Sequence, residues 1–187
     1  TVTAFAISLL LGVYLGIEAA KRAHSLVDNI LSTISLLFWS TAHFWRGLMF
    51  LLFFGLYLGL FPISGMITIG ETGASAILHT LWHLFLPASC LAFGELALYA
   101  RMTRASMLEI LQQDYIMTAW SKGCNDRAIF YTHAFRNAVI PLITYTGLRL
   151  PTLFTGSVVI ETIFGWPGIG LLSYTSILAR DYNMIQG

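Results

Sequence analysis

The chain has 187 residues, 57% of them apolar and only 10% Asp, Glu, Lys or Arg, and its mean hydropathy is +0.74. A soluble domain carries about 25% charged residues, so the composition is that of a membrane protein. A formal net charge of +1 lacks the concentrated basic footprint of a nucleic-acid binder, and Cys90 and Cys124 have neither metal-ligand nor disulfide spacing.

A membrane-crossing helix needs about 20 mostly apolar residues at 1.5 Å each. In chain order, the first such run covers 2–19 and ends at "EAAKRAH". It has no basic leader and no cleavage-like site, so it is read as a span and not as a signal peptide; with no initiator Met ahead of it, the chain is expected to be a piece of a longer protein. The second run, 29–61, would reach about 50 Å as one helix, too long to cross straight. The distribution of Lys and Arg decides its direction. One crossing puts Lys21 and Arg22 on the same side as Arg101, Arg104, Lys122, Arg127 and Arg136, and leaves 62–79, with Glu71 and no Lys or Arg, opposite. Arg46 in mid-run then implies a bent or tilted helix with the guanidinium against protein or water. The third run is 80–100 and the fourth 138–160. After it, the Gly and Pro residues at 165, 167, 168 and 170 read as turns between short interfacial elements. The expected topology is four spans, with 20–28 and 101–137 cytoplasmic and 62–79 and 161–187 outside.

The loop 101–137 is far longer than a connector requires. Arg101, Arg104 and Glu109 lie on one amphipathic run whose apolar side is Met107, Leu108 and Leu111. Gly123 is placed to end a helix in the left-handed conformation, and Asn125 or Asp126 to cap a second, "DRAIFYTHAFRNA". That second helix, with Ile129, Phe130, Phe135 and several charges, suits docking into a groove on a soluble partner. No nucleotide-binding GxxxxGK[ST], no HExxH, no GxSxG and no CxxC is present. His79 and His83 are four apart but read as interfacial residues near the start of a span. Competing readings are a secondary transporter or channel, for which Arg149 and Pro151 within the fourth span are the pointers, and a passive membrane scaffold.

The stretches "ARMTRASMLEILQQDYIMTAWSKG", "HAFRNAVIP", "GSVVIETIFGWPGIG" and "ARDYNMIQG" occur in this order over roughly 90 residues. Together they resemble the membrane-spanning subunits of binding-protein-dependent ABC importers, in the oligopeptide/dipeptide permease branch. "GVYLGIEAAKRAHSLVDN" and "FWRGLMFLLFFGLYLGLFPISG" extend the likeness over nearly the whole chain. The resemblance implies an all-α polytopic membrane protein of the type I ABC importer permease fold, a piece with about four transmembrane segments, in the cytoplasmic (inner) membrane. It implies no cofactor and no catalysis in this chain. The implied partners are ABC ATPase subunits, a second homologous permease, an extracytoplasmic solute-binding protein and membrane lipid.

In that family a loop signature, EAA and three residues before a Gly, includes the helix that couples to the ATPase. The matching residues here are Met117-Thr118-Ala119 and Gly123, with Met117 where the signature has an acidic residue and Trp120 and Ser121 ahead of Lys122. The residues expected to carry coupling are Thr118, Ala119, Lys122, Gly123, Asp126, Arg127, His133 and Arg136. Arg149, about ten residues into the fourth span, and Glu161 are expected on the translocation path; a fixed salt bridge is the competing role for Arg149. The implied cargo is an oligopeptide or dipeptide, with nickel and glycosides as the alternatives found among close relatives of that branch.

Overall fold

The computed structural model describes residues 2–62, 65, 74–155 and 158–186, and all regular structure among them is helical. The chain divides into two compact units: stretches 5–40 and 93–150 form one, and 1–4, 41–92 and 151–187 form the other.

In the first unit, α1 (Val2–Lys21) covers the expected first span. Ala4, Ser8, Gly12, Gly16 and Ala20 recur at every fourth position, which in a helix is one face. That spacing lets another backbone approach closely, as small-residue motifs do in membranes. A Cβ at Gly12 would lie 2.6 Å from Tyr99 Cβ, and one at Gly16 2.5 Å from Thr103 Cβ; only glycine fits there. The partner helix is α4 (Ala74–Leu111), 38 residues with Pro87 inside. At 1.5 Å per residue it is about 57 Å long, well beyond the roughly 30 Å hydrocarbon layer. The amphipathic run after residue 100, expected as a separate loop element, is therefore the continuation of the third span in the same helix.

The long tract 29–61 is not one bent helix: it is divided at 41–42 into α2 (Leu26–Ser40) and α3 (His43–Phe50), which runs on into a π-helical stretch Leu51–Tyr57. Arg46 is 4% exposed, with Nη2 2.5 Å from His43 Nδ1, so protein and not lipid surrounds it, as a buried guanidinium requires. The external segment expected at 62–79 falls mostly outside the described residues.

Helix α5 (Asp114–Ser121) is followed by a π-helical turn Ala128–Ala134, α6 (Phe135–Ala138) and α7 (Ile140–Thr155). Helix α7 occupies the expected fourth span with 16 residues, about 24 Å, short of a full crossing; 156–157, the start of the Gly156 motif, lie outside the described residues. In the second unit α8 (Val158–Phe164) and α9 (Ile169–Ala179) are apolar enough to form a broken span together, at 90° to each other. By length and composition, α1 and the His79–Leu111 part of α4 can each cross a membrane, and up to four crossings result if each bent pair counts as one. Helix α10 (Tyr182–Gln186) follows. The core of the second unit joins Leu86, Cys90, Ile160 and Phe164, with Phe50, Phe54 and Phe61 packed against them.

Candidate functional site: the cytoplasmic-type loop and its braces

The loop after α4 is a folded element with its own core. Ile17 and Ala20 of α1, Met107 of α4, Ile116 and Ala119 of α5, and Ile129, Ala134 and Ala138 beyond it form one buried cluster. Gly123 terminates α5 as expected, with φ +76°. Its N–H donates to Trp120 O (3.0 Å) and that of Cys124 to Ala119 O (3.2 Å). This is a Schellman turn, which satisfies carbonyls that a helix end leaves open. Two residues later Asn125 Oδ1 accepts from Ala128 N–H at 2.8 Å, so of the two candidate caps Asn125 supplies the bond and Asp126 stays exposed. Asn137 Nδ2 donates to the Tyr115 hydroxyl (2.7 Å) and ties the far side of the turn back to α5.

Thr118, Lys122, Gly123, Asp126, Arg127 and Arg136 are exposed, and His133 is half-buried. Ala119 is buried in the cluster, where it packs against the unit's own helices. Ile129 is fully buried, and Phe130 and Phe135 pack on the same core. The apolar side of the helix expected to suit a partner's groove faces this core, and its charged residues face outward. The large hydrophobic side chains that do face outward on α5 are Met117, 61% exposed, Trp120, 43% exposed, and Tyr115, 42% exposed. Their position within α5 was readable, but which face of an eight-residue helix turns outward depends on the cluster beneath it.

Two ionic braces lie beside this element, and sequence spacing shows neither the Tyr131 link of the first nor the pairing of the second. Lys21 Nζ donates to Glu18 Oε1 (2.6 Å) and to the Tyr131 hydroxyl (2.9 Å), and that hydroxyl donates to Glu18 Oε1 (3.2 Å). The end of α1 is thereby fastened to the helix after Gly123. Asp28, 1% exposed, takes a two-pronged bond from Arg104, Nε to Oδ1 at 2.5 Å and Nη2 to Oδ2 at 2.7 Å. It also accepts from the N–H of His24 (2.9 Å), which holds His24 at φ +64°, while Ser25 Oγ caps α2 by accepting from Asp28 N–H. A planar guanidinium matched to a carboxylate is the geometry in which a buried pair is most strongly specified.

Arg149 lies on α7 in the same unit. Its Nε donates to the Tyr145 hydroxyl (2.6 Å) and its Nη2 is 3.4 Å from Glu95 Oε1, while Tyr145 donates to Glu95 Oε2 (3.2 Å). Tyr99 and Thr146 share a hydrogen bond (3.1 Å) beside them. Arg149 and Glu95 thus pair across 54 positions of chain. The geometry matches the salt-bridge role weighed for Arg149, and the guanidinium keeps 39% exposure.

Glu161 belongs to the other unit. Its Oε2 accepts from Leu171 N–H (2.8 Å), so it serves the N-terminus of α9, where Gly168 has no side chain to cap with. A Cβ at Gly168 would collide with the Glu161 carboxyl group, which accounts for the small residue there. Gly165 at φ +58° closes α8, with Trp166 N–H donating to Glu161 O at 2.9 Å. Among the described residues no group of three His, Cys, Asp or Glu is arranged to hold a metal ion.

Residues 8–187 match the family described as the binding-protein-dependent transport system inner membrane component. A putative peptide transport system permease protein of Brucella abortus is 41% identical over 184 residues, 98% of this chain and 57% of the relative. The di/tripeptide transport system permease protein DppB of Pseudomonas aeruginosa is 40% identical, over 94% of this chain and 57% of its own. The oligopeptide transport system permease protein AppB of Bacillus subtilis is 38% identical, over 96% and 56%. The chain therefore spans a little over half the length of these relatives. With its helices, its Gly123 turn and a match over nearly all of its length, the chain belongs to the family of binding-protein-dependent transport system inner membrane components.

Proposed function

We propose that the chain forms part of a permease subunit of an ATP-driven importer, that its cargo is an oligopeptide or dipeptide, and that the Gly123 turn couples it to an ATPase subunit. The observation that carries this reading is the turn itself. It sets two short helices on a buried core and leaves Thr118, Trp120, Lys122, Asp126, Arg127 and Arg136 outward, a rigid mixed surface of the kind a protein partner can push against. The braces give that push a route. Lys21–Glu18–Tyr131 links the second short helix to α1, and Asp28–Arg104 links the turn before α2 to α4, so a displacement at the loop reaches rods long enough to span the membrane. This is positional coupling; the chain itself makes and breaks no bonds. Peptide as cargo is supported by the relatives, which bear peptide, di/tripeptide and oligopeptide permease names.

The test is affinity isolation of the full-length protein from its native membrane. Recovery of an ABC ATPase and a second permease of the same family supports the reading, and their absence from a stable, membrane-extracted protein overturns it. Binding of radiolabelled di- and oligopeptides by the external binding protein that works with it then tests the cargo.

A further inference from the structure

A cleft of about 250 Å³ opens among Leu15 and Ala19 of α1, Leu31, Ser32, Ser35 and Leu36 of α2, and Ala100, Arg101 and Arg104 of α4. All of these belong to one unit. Most of the charge near it is already neutralised: Arg104 is spent on Asp28, and Lys21 on Glu18. Arg101 is exposed, rests over the Trp39 ring at 5.9 Å, and has no carboxylate partner among the described residues. Ser35 makes no hydrogen bond within the described residues, whereas serines inside apolar helices ordinarily bond back to a carbonyl one turn earlier, as Ser121 and Ser173 do here.

We propose that this cleft is a site for the head group of an anionic phospholipid, its phosphate held by Arg101 and Ser35 and its acyl chains lying along Leu15 and Leu36. The space is of a size to take a phosphate and glycerol. The cleft has one open cation and a spare hydroxyl above apolar walls, so its chemistry matches a group that is charged at one end and hydrocarbon at the other. It lies at the end of the helices that carries Lys21, Arg22, Arg101 and Arg104, the side assigned to the cytoplasm by the distribution of positive charge, where anionic lipids favour basic pockets between helices. A bound lipid would fill the wedge between α1, α2 and α4 beside the Asp28–Arg104 brace and stiffen it. The inference rests on the membrane placement of the chain and not on peptide being the cargo.

The experiment uses the full-length protein extracted in a mild detergent, with phosphatidylglycerol, phosphatidylcholine or inorganic phosphate added. Native mass spectrometry counts retained lipid and a thermal melt reads stabilisation. Phosphatidylglycerol should be retained by the wild type and raise its melting temperature, with little effect from the other two. Arg101→Gln should lower its apparent affinity about five- to tenfold, the scale of one cation near an anionic surface; Arg101→Lys should retain most of it; and Arg22→Gln, outside the cleft, should leave it unchanged. Ser35→Phe, which fills the cleft without removing a charge, should also abolish retention and keeps the test valid if Arg101→Gln does not fold. Equal retention by wild type, Arg101→Gln and Ser35→Phe overturns the proposal. So does equal stabilisation by phosphatidylcholine, which would mean apolar filling alone, or by phosphate, which would mean a free-anion site. A negative result here leaves the importer reading intact, because co-isolation of the ATPase is measured separately.

Discussion

At the scale of single residues, two of the ion pairs among the described residues, Asp28–Arg104 and Glu95–Arg149, join positions far apart in sequence. Asp28 is almost wholly buried and holds Arg104 by two bonds. Removing one partner of such a pair leaves the other uncompensated, at a cost of about 3–5 kcal/mol. Arg104→Gln should therefore lower thermal stability sharply in detergent, and the double change Asp28→Asn with Arg104→Gln should recover part of the loss. A double change no better than Arg104→Gln alone would mean the pair is not coupled as its geometry implies. Arg149 poses a subtler question, because it is paired with Glu95 and Tyr145 yet stays partly open. If it meets cargo, Arg149→Gln should reduce uptake of peptides with a free C-terminus more than that of amidated ones, with assembly intact. Equal loss for both, together with non-additive stability effects of Arg149→Gln and Glu95→Gln, assigns it to structure alone.

At the scale of elements, the decisive piece is the α5 turn. Gly123 sits at φ +76° in open space, so a side chain there meets no clash and costs only backbone strain, of order 1–3 kcal/mol. Gly123→Val should leave the amount of protein in the membrane unchanged while transport and stimulated ATP hydrolysis fall several-fold, as the helix after the turn tilts. Undiminished stimulation in that assembly would mark Gly123 as a passive linker residue. Gly16 contrasts with it: it is helical, and what it lacks is room, because α4 lies against it at Thr103 and Ala100. Gly16→Leu should overpack that contact and destabilise the protein by about 1–3 kcal/mol, seen as a lower melting temperature without any specific loss of coupling. The two substitutions thus separate the proposed coupling turn from a packing requirement.

At the scale of the whole molecule, the orientation is open to direct measurement. After replacement of Cys90 and Cys124, a cysteine at Asn125 should resist an impermeant thiol reagent applied to intact cells, and one at Ser75 should react. Labelling at Asn125 from outside would invert the topology and remove the coupling role of the Gly123 turn with it. The length of α4 bears on the same question. About 57 Å of helix cannot be contained in a hydrocarbon layer of roughly 30 Å, so one continuous rod joins the membrane interior to the loop core at Met107.

How far the chain could be understood from its residues alone depended on whether each feature was local. Helical content, the apolar runs, the stop at Gly123 and the cap at 125–126 were legible, because hydrophobic period, left-handed glycine and Asn capping act within a few residues. The every-fourth-residue series Ala4, Ser8, Gly12, Gly16, Ala20 was equally legible, as a small-residue packing motif of membrane helices, and went unread. Three things were decided only by the fold. Ile129, Phe130 and Phe135 turned inward while Met117 and Trp120 turned outward, because α1 and α4 bring Ile17, Ala20 and Met107 beneath them. Asp28 found Arg104, and Glu95 found Arg149, across 76 and 54 residues of chain, distances at which sequence carries no periodic signal. The tract 29–61 was divided at 41–42 into two helices, since a run of apolar residues states how much surface must be buried and leaves open where the chain breaks to bury it.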